Sequence, residues 1–90
     1  MPYIPNVERA KYNGYIKNIT NILNRYSKHS KLSGQLHYII TKILFDTNPM
    51  KYDDYNTLIG VLENIKLELY RRKIIPYEDI KIKENGDVYR

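Results

Sequence analysis

Two adjacent arginines with tyrosines nearby are the residues in this sequence best suited to chemistry. Arg71 and Arg72 carry planar guanidinium groups, which bind phosphate or carboxylate through two parallel hydrogen bonds. Tyrosine rings beside them can stack on a base or on a cation. This combination predicts a site for a small anionic ligand, with a nucleotide as the most suitable class. The predicted ligand-binding residues are Tyr3, Lys66, Tyr70, Arg71, Arg72 and Tyr77.

A purely structural role explains the same residues equally simply. Tyr70 and Tyr77 have an apolar body and a polar tip, so they suit the edge of a hydrophobic core. The two arginines fall in the last turn of a predicted helix, where cations interact favourably with the helix dipole. In that position they could pair with Glu78 or Asp79. The sequence leaves both roles open.

Carboxylates in the same segment offer the one argument for catalysis, because paired carboxylates serve acid–base chemistry or hold Mg²⁺. Glu63, however, precedes Lys66 by three residues, an ordinary spacing for a helix ion pair. Glu68 precedes Arg72 by four and can pair in the same way. The sequence has no cysteine, and its serines lie together without a Gly-x-Ser-x-Gly elbow. We therefore predict a protein that is not an enzyme, with no catalytic residues.

The histidines and glycines give no support for a metal or phosphate-loop site. His29 and His37 fall on different predicted elements, and no zinc or calcium motif surrounds them. The four glycines are too far apart for a phosphate-binding loop or a dinucleotide fingerprint. We predict no metal and no cofactor.

Length and charge restrict the architecture and the partners. The chain of 90 residues is expected to form one small domain over residues 1–90. A domain of this size buries only about 60–65% of its unfolded surface. A small domain without disulfides or thiolate metal sites usually gains the missing stability by self-association, so we expect a homo-oligomer.

The net charge of +5 favours anionic partners, but the basic residues of the first helix form no stripe. Nucleic acid therefore ranks below a small ligand.

Apolar spacing predicts an N-terminal arm at residues 1–5 and three helices within residues 6–75. The first helix should run from about Val7 to Ser27, with Asn6 as its N-cap. A break at Gly14 into two shorter helices is the alternative. A loop over residues 27–34 should follow, with Ser33 as the cap of the second helix.

The second helix is expected to stop in the segment Asp46-Thr47-Asn48-Pro49, because residues before proline avoid the helical region. Asp53 or Asp54 should cap the third helix, whose apolar face is built on leucine and isoleucine. Pro76 should end it.

Residues 76–90 are predicted to form a tail with a hairpin. Residues 80–84 alternate in polarity, and Asn85-Gly86 is a strong signal for a type I′ turn. The predicted fold class is therefore mainly α, a three-helix domain with a short C-terminal β-hairpin or extended tail.

No apolar run approaches the ~18 residues of a membrane span, and the N-terminus lacks a signal-peptide core. We expect a soluble cytoplasmic protein without a membrane partner.

Several short segments along nearly the whole chain carry a resemblance to a known family. They are residues 1–5 (MPYIP), 59–63 (IGVLE), 66–72 (KLELYRR), 76–79 (PYED) and 81–89 (KIKENGDVY). On these segments the chain resembles a family of very small, largely uncharacterised proteins from phages, prophages and microbial genomes. The resemblance brings no established reaction or cofactor.

In size, helix content, basic charge and Tyr/Arg content, the chain is also similar to viral immune-evasion sponges. These are tiny helical oligomers that sequester cyclic nucleotides made by bacterial defence systems. The likeness implies a non-enzymatic, phage-type accessory protein that sequesters a small anionic, cyclic nucleotide signal in the host cytoplasm. The alternatives are a regulatory module that contacts a host protein through its arm and tail, and a nucleic-acid-binding protein.

Overall fold

The computed structural model describes residues 3–26, 31–47 and 51–89. These residues are mainly helical and contain no β-strand, which confirms the predicted mainly α class. The chain divides into two compact units, Met1–Asn48 and Pro49–Arg90. Each unit has its own helices.

The first unit contains two helices, α1 (Asn6–Tyr26) and α2 (Leu32–Asp46). Helix α1 continues through Gly14, so the chain does not break there. The two helices meet near the end of α1, where the Gln35 Nε2 donates a hydrogen bond of 3.4 Å to the Tyr26 carbonyl. The predicted loop is shorter than expected, and its residues 27–30 lie outside the described part of the chain.

The start of α2 corrects the predicted cap. The N-cap residue is Lys31, whose side chain makes no capping hydrogen bond, and Ser33 is already inside the helix. The helix therefore begins two residues earlier than a cap at Ser33 would place it, and Leu32 is its first residue. At the other end the prediction is confirmed, because α2 ends at Asp46 and the Thr47 N–H donates to the Ile43 carbonyl at 3.1 Å. Asn48 and Pro49 lie outside the described residues.

The second unit is one continuous helical run. It consists of α3 (Tyr52–Leu69), a π-helical turn (Tyr70–Ile74) and α4 (Ile75–Asn85). At 1.5 Å per residue the run is about 50 Å long. Its N-cap is Lys51 and not Asp53 or Asp54. The Asp54 carboxylate accepts the Lys51 N–H at 2.8 Å, which is one half of a capping box, since the lysine ammonium cannot accept a hydrogen bond in return.

Pro76 does not end the helix, contrary to the prediction. A proline inside an α-helix lacks its N–H, and its ring collides with the carbonyl four residues earlier. Here the preceding turn widens to π-helical geometry, with the Ile75 N–H bonded to the Tyr70 carbonyl. A wider turn before the ring relieves that collision, and π-turns of this kind occur as single insertions within α-helices. The chain therefore stays helical for another eleven residues in α4.

The predicted hairpin is also wrong. Residues 80–85 belong to α4, and the Lys81 Nζ lies 3.1 Å from the Glu84 Oε2, a pairing that helical spacing of three produces. Gly86 has φ of +90°, so the Asn-Gly pair supplies positive φ at one position only. Its N–H donates to the Ile82 carbonyl at 2.8 Å and closes the helix. Helix propensity and capping thus outcompete an isolated two-stranded ribbon, which is marginal in water.

Neither unit has a buried core among the residues that the structure describes. The best-covered apolar side chains are only half-buried, and they include Ile19, Leu23 and Ile39 in the first unit. In the second unit Leu58 and Leu62 are half-buried, although a single helical run offers them no second helix from within that unit. Within the described residues, no helix is both long enough and apolar enough to cross a membrane.

Candidate ligand-binding site

One concavity of the first unit lies where the N-terminal arm meets α1. This arm cleft has a volume of about 440 Å³, within the range of small-molecule sites. It combines two tyrosine rings, two aliphatic walls, one guanidinium group and one amide. The lining residues are Tyr3, Ile4, Arg9, Tyr12, Asn13 and Ile16.

Local sequence explains why the arm folds back on the helix. Pro5 fixes its own φ and disfavours helical geometry at Ile4, so the chain enters α1 from an extended arm. The Pro5 carbonyl accepts the Glu8 N–H at 3.0 Å and begins the helix. The Arg9 Nε then donates to the Ile4 carbonyl at 2.9 Å, which ties the arm to the first turns. Asn13 and Ile16 follow Arg9 at helical spacing and share its face.

Arg9 is the central polar residue of the arm cleft. Its Cζ lies 5.8 Å from the centroid of the Tyr3 ring, a distance at which a cation and an aromatic ring attract each other. It is half-buried, and no carboxylate among the described residues pairs with it. Among the described residues, the one hydrogen bond of this side chain is made by Nε, so the two Nη groups could bind an anion.

The charge around the arm cleft favours the same kind of ligand. Residues 1–48 contain seven basic and two acidic residues, whereas residues 49–90 contain eight of each. The whole net charge therefore belongs to the first unit. Lys11 adds a cation beside the arm cleft, with its Nζ 5.3 Å from the Tyr12 ring centroid. An anion approaching this unit meets a positive potential.

A second cleft of about 340 Å³ lies between α1 and α2. It is lined mainly by apolar and aromatic groups, with Gln35 as its amide. The Gln35 Oε1 is buried without a hydrogen-bond partner in the described structure, and a bound water is the usual remedy for such an atom. No cation lines this cleft within the described residues, so it suits an anion less well than the arm cleft.

The residues predicted from sequence fall in two places. Tyr3 lines the arm cleft, and the other five lie along the helical run of the second unit. The Lys66 Nζ is 3.1 Å from the Glu63 Oε1, and the Arg72 Nε is 3.3 Å from the Glu68 Oε1. Both expected helix ion pairs are confirmed.

The other predicted ligand-binding residues of the second unit are exposed, including Tyr70, Arg71 and Tyr77. Tyr70 and Tyr77 are about half and three-fifths exposed, and the Lys81 Nζ lies 5.6 Å from the Tyr77 ring centroid. Arg71 makes no ion pair with any described residue. Glu78 and Asp79 pair with neither arginine in the part of the chain that the structure describes. The two clefts described above contain none of these five side chains, so this binding surface stays a prediction.

Sequence reasoning missed the arginine, the tyrosine and the asparagine of the arm cleft. The missed residues are Arg9, Tyr12 and Asn13. Their spacing of three and four along α1, directly after an arm fixed by Pro5, was the available signal. For metals, the described residues contain no group of three or more histidine, cysteine or carboxylate side chains that could hold an ion.

Comparison with known proteins adds a family but no activity. A family model described as Domain of unknown function (DUF6899) matches residues 1–88. The chain belongs to this family. No match was found among the curated proteins or among the solved structures.

Proposed function

We propose that this protein is a non-enzymatic binding protein for a small anionic ligand of the nucleotide class, and that the ligand occupies the arm cleft. The observation that carries the proposal is the guanidinium group of half-buried Arg9, whose Nη groups bond to no described residue, beside Tyr3 and Tyr12. The arm cleft also belongs to the unit that holds the whole net charge of the chain.

Each component of the arm cleft matches one part of such a ligand. The Arg9 Nη groups can donate two hydrogen bonds to a phosphate. A tyrosine ring can stack on the base, and Asn13 has both a donor and an acceptor for a base edge or a ribose. A volume of about 440 Å³ suits one mononucleotide or part of a cyclic dinucleotide.

Retention of the ligand, without a chemical step, is the form of activity that this composition supports best. The described residues that line the arm cleft include no carboxylate, histidine or serine, so the hydroxyl groups of its two tyrosines are the side chains there with acid–base or nucleophilic capacity. We further propose capture of a signalling nucleotide in a phage-type accessory role, in which slow release removes the signal from circulation. Lys66, Tyr70, Arg71, Arg72 and Tyr77 provide a second candidate anion surface.

Calorimetric titration with a panel of linear and cyclic nucleotides tests the proposal. We expect saturable binding by at least one member, together with a thermal shift that grows with ligand concentration. Arg9→Gln should weaken binding by about 10-fold or more, because hydrogen bonds to charged groups contribute about 1.5–3 kcal/mol.

The matched control is Arg25→Gln, which removes the same charge from the last turn of the same helix. It should leave the dissociation constant within about twofold, since its effect is limited to screened long-range attraction. Equal losses in the two variants, or no binding by any nucleotide, would overturn the assignment of the arm cleft.

The exposed apolar side chains of both units favour a second candidate, a module that acts by protein–protein contact. A partner protein would be retained equally well by Arg9→Gln, which separates this function from nucleotide capture. Binding of DNA or RNA that weakens steeply with salt would instead favour a nucleic-acid-binding protein.

A further inference from the structure

One face of α3 carries a continuous apolar stripe, here named the α3 seam. Its residues recur at spacings of three and four along the helix, the pattern of helices that pack side by side. Projected on a helix, they span a sector of roughly 120°, which is the width of a core-facing stripe. The seam consists of Tyr55, Leu58, Ile59, Leu62, Ile65 and Leu69.

Among the described residues of the second unit, residues 51–89, no second helix packs against this seam, because they form one helical run. Four seam residues are correspondingly exposed, with Tyr55 and Leu69 at 54%, Ile65 at 59% and Ile59 at 68%. Apolar side chains of this size are usually buried in folded proteins.

The seam is self-complementary about its centre. If two copies of α3 lie antiparallel with a twofold axis at Leu62, Tyr55 of one copy falls opposite Leu69 of the second copy. Ile59 then falls opposite Ile65. Leu62 meets its own counterpart. Leu58 falls opposite Lys66 of the second copy. The other five apolar positions of the stripe each meet an apolar position, which favours a twofold interface.

Charges at the two ends of the seam fix the antiparallel direction. The first turn of α3 is acidic, with Asp53 and Asp54, and the π-helical turn is basic, with Arg71, Arg72 and Lys73. In the antiparallel arrangement each acidic end lies beside the basic turn of the other copy. A parallel arrangement would place acid beside acid and base beside base, which is unfavourable.

We propose that the α3 seam is the dimer interface of this protein, formed by two copies of the chain in antiparallel pairing about Leu62. The π-helical turn sets its limit, because the wider turn after Leu69 rotates later residues out of the register of the stripe. Residues 49–90 carry equal numbers of basic and acidic residues, so two copies of this unit approach without net repulsion. The interface is independent of the arm cleft.

Sedimentation equilibrium with a matched pair of variants tests the surface. Ile65→Glu places a carboxylate in the seam, and Leu67→Glu makes the same change two residues away on the opposite face. The two side chains are 59% and 55% exposed in the protomer, so a loss of intrachain packing should affect them similarly. We expect twice the mass of the chain for the wild type and for Leu67→Glu, and at least a 100-fold higher dimer dissociation constant for Ile65→Glu. A monomeric wild type, or equal effects of the two variants, would overturn the proposal.

Cysteine cross-linking tests the direction of pairing. The chain contains no cysteine, so an introduced thiol is unique. Under mild oxidation, Leu62→Cys should form a disulfide-linked dimer with itself. Tyr55→Cys should cross-link with Leu69→Cys when the two variants are mixed, and much less with itself. Efficient self-linking of Tyr55→Cys would show parallel pairing and contradict the proposed arrangement.

Charge reversal supplies a test that leaves the apolar seam intact. Asp53→Lys with Asp54→Lys should weaken the dimer by about 10-fold, and so should Arg71→Glu with Arg72→Glu. Combining all four changes restores opposite charges at both ends, so it should restore dimerisation. No recovery in the combined variant would count against antiparallel pairing. A seam covered by the first unit of the same chain would give a monomer in every variant.

Discussion

At the scale of single residues, Arg9 has one observed contact and one proposed role. Its Nε donates to the Ile4 carbonyl and holds the arm, and the proposed ligand would bind its two Nη groups. Tyr3 lies over the same guanidinium, so the arm is positioned by the group that would bind the anion. A lysine at this position could supply charge but could not keep both contacts, because it lacks the planar fork.

Replacing glycine by alanine should change the free energy of unfolding in opposite directions at Gly14 and at Gly86. Gly14 lies in the interior of α1, where an added methyl group meets no atom within 4 Å. Gly14→Ala should therefore raise the free energy of unfolding by about 0.5–1 kcal/mol. Gly86 ends α4 with φ of +90°, which an alanine adopts only under strain. Gly86→Ala should lower the free energy of unfolding by about 1 kcal/mol.

Urea denaturation followed by circular dichroism, at one fixed protein concentration, measures both changes. Gly60→Ala serves as a second interior control, because Gly60 is also helical with no atom within 4 Å of an added methyl group. Stabilisation by Gly86→Ala would show that α4 does not end there in solution.

At the scale of elements, the π-helical turn is the feature that differs most from the sequence prediction, which ended the helix at Pro76. Arg71, Arg72 and Lys73 occupy it, directly before a helix that begins with Ile75 and Pro76. The turn joins two helices that would otherwise be separate, and the chain continues as a helix past the proline. It also separates the register of α3 from that of α4, which is why the apolar stripe of α3 stops at Leu69.

Replacing the proline tests this account of the turn. Pro76→Ala restores an N–H and removes the ring, so the π-helical turn should relax toward α-helix. The free energy of unfolding should rise by about 1–2 kcal/mol, which is the helix-interior penalty of proline less its entropic benefit in the unfolded chain. Chemical denaturation measures the change, and slower hydrogen exchange of amides 74–77 would locate it.

Pro5→Ala is the control, since Pro5 lies at the helix entrance, where proline is tolerated. Its effect should stay within about 0.5 kcal/mol. Destabilisation by Pro76→Ala would mean that the widened turn is required for packing, and not only a response to the proline ring.

Local sequence predicted the helices well and their ends less well. The bounds of α1 and the stop of α2 near Thr47 follow from apolar spacing and from the coming proline. The hairpin prediction at Asn85-Gly86 failed because that pair also suits a helix C-terminus, and residues 75–84 were helical enough to use it so. The arm cleft was missed because helical spacing indicates the shared face of Arg9, Tyr12 and Asn13 but does not indicate the Arg9–Ile4 hydrogen bond that holds the arm against that face.

At the scale of the whole molecule, the central physical fact is that no apolar side chain of the described residues is fully buried. A domain of this length must remove about 60% of its unfolded surface from water to be stable. No described side chain of either unit is buried, and large apolar groups such as Ile59 and Tyr77 are more than half exposed. Local helix formation cannot compensate, since helical stability in proteins comes mainly from packing of an apolar face. The dimer proposed for the α3 seam would remove part of this apolar surface from water.

The final prediction follows from the proposed dimer. If that dimer is the form that buries the α3 seam, dilution should lower both the helix content and the melting temperature. Over about a thousand-fold range of concentration, linkage to a dimer should shift the free energy of unfolding by about 4 kcal/mol. Circular dichroism melts along a dilution series measure the shift. Ile65→Glu should melt low at every concentration, whereas Leu67→Glu should follow the wild type. A melting temperature independent of concentration would show that the chain covers its own apolar surface, and the α3 seam would then lie in an intrachain core.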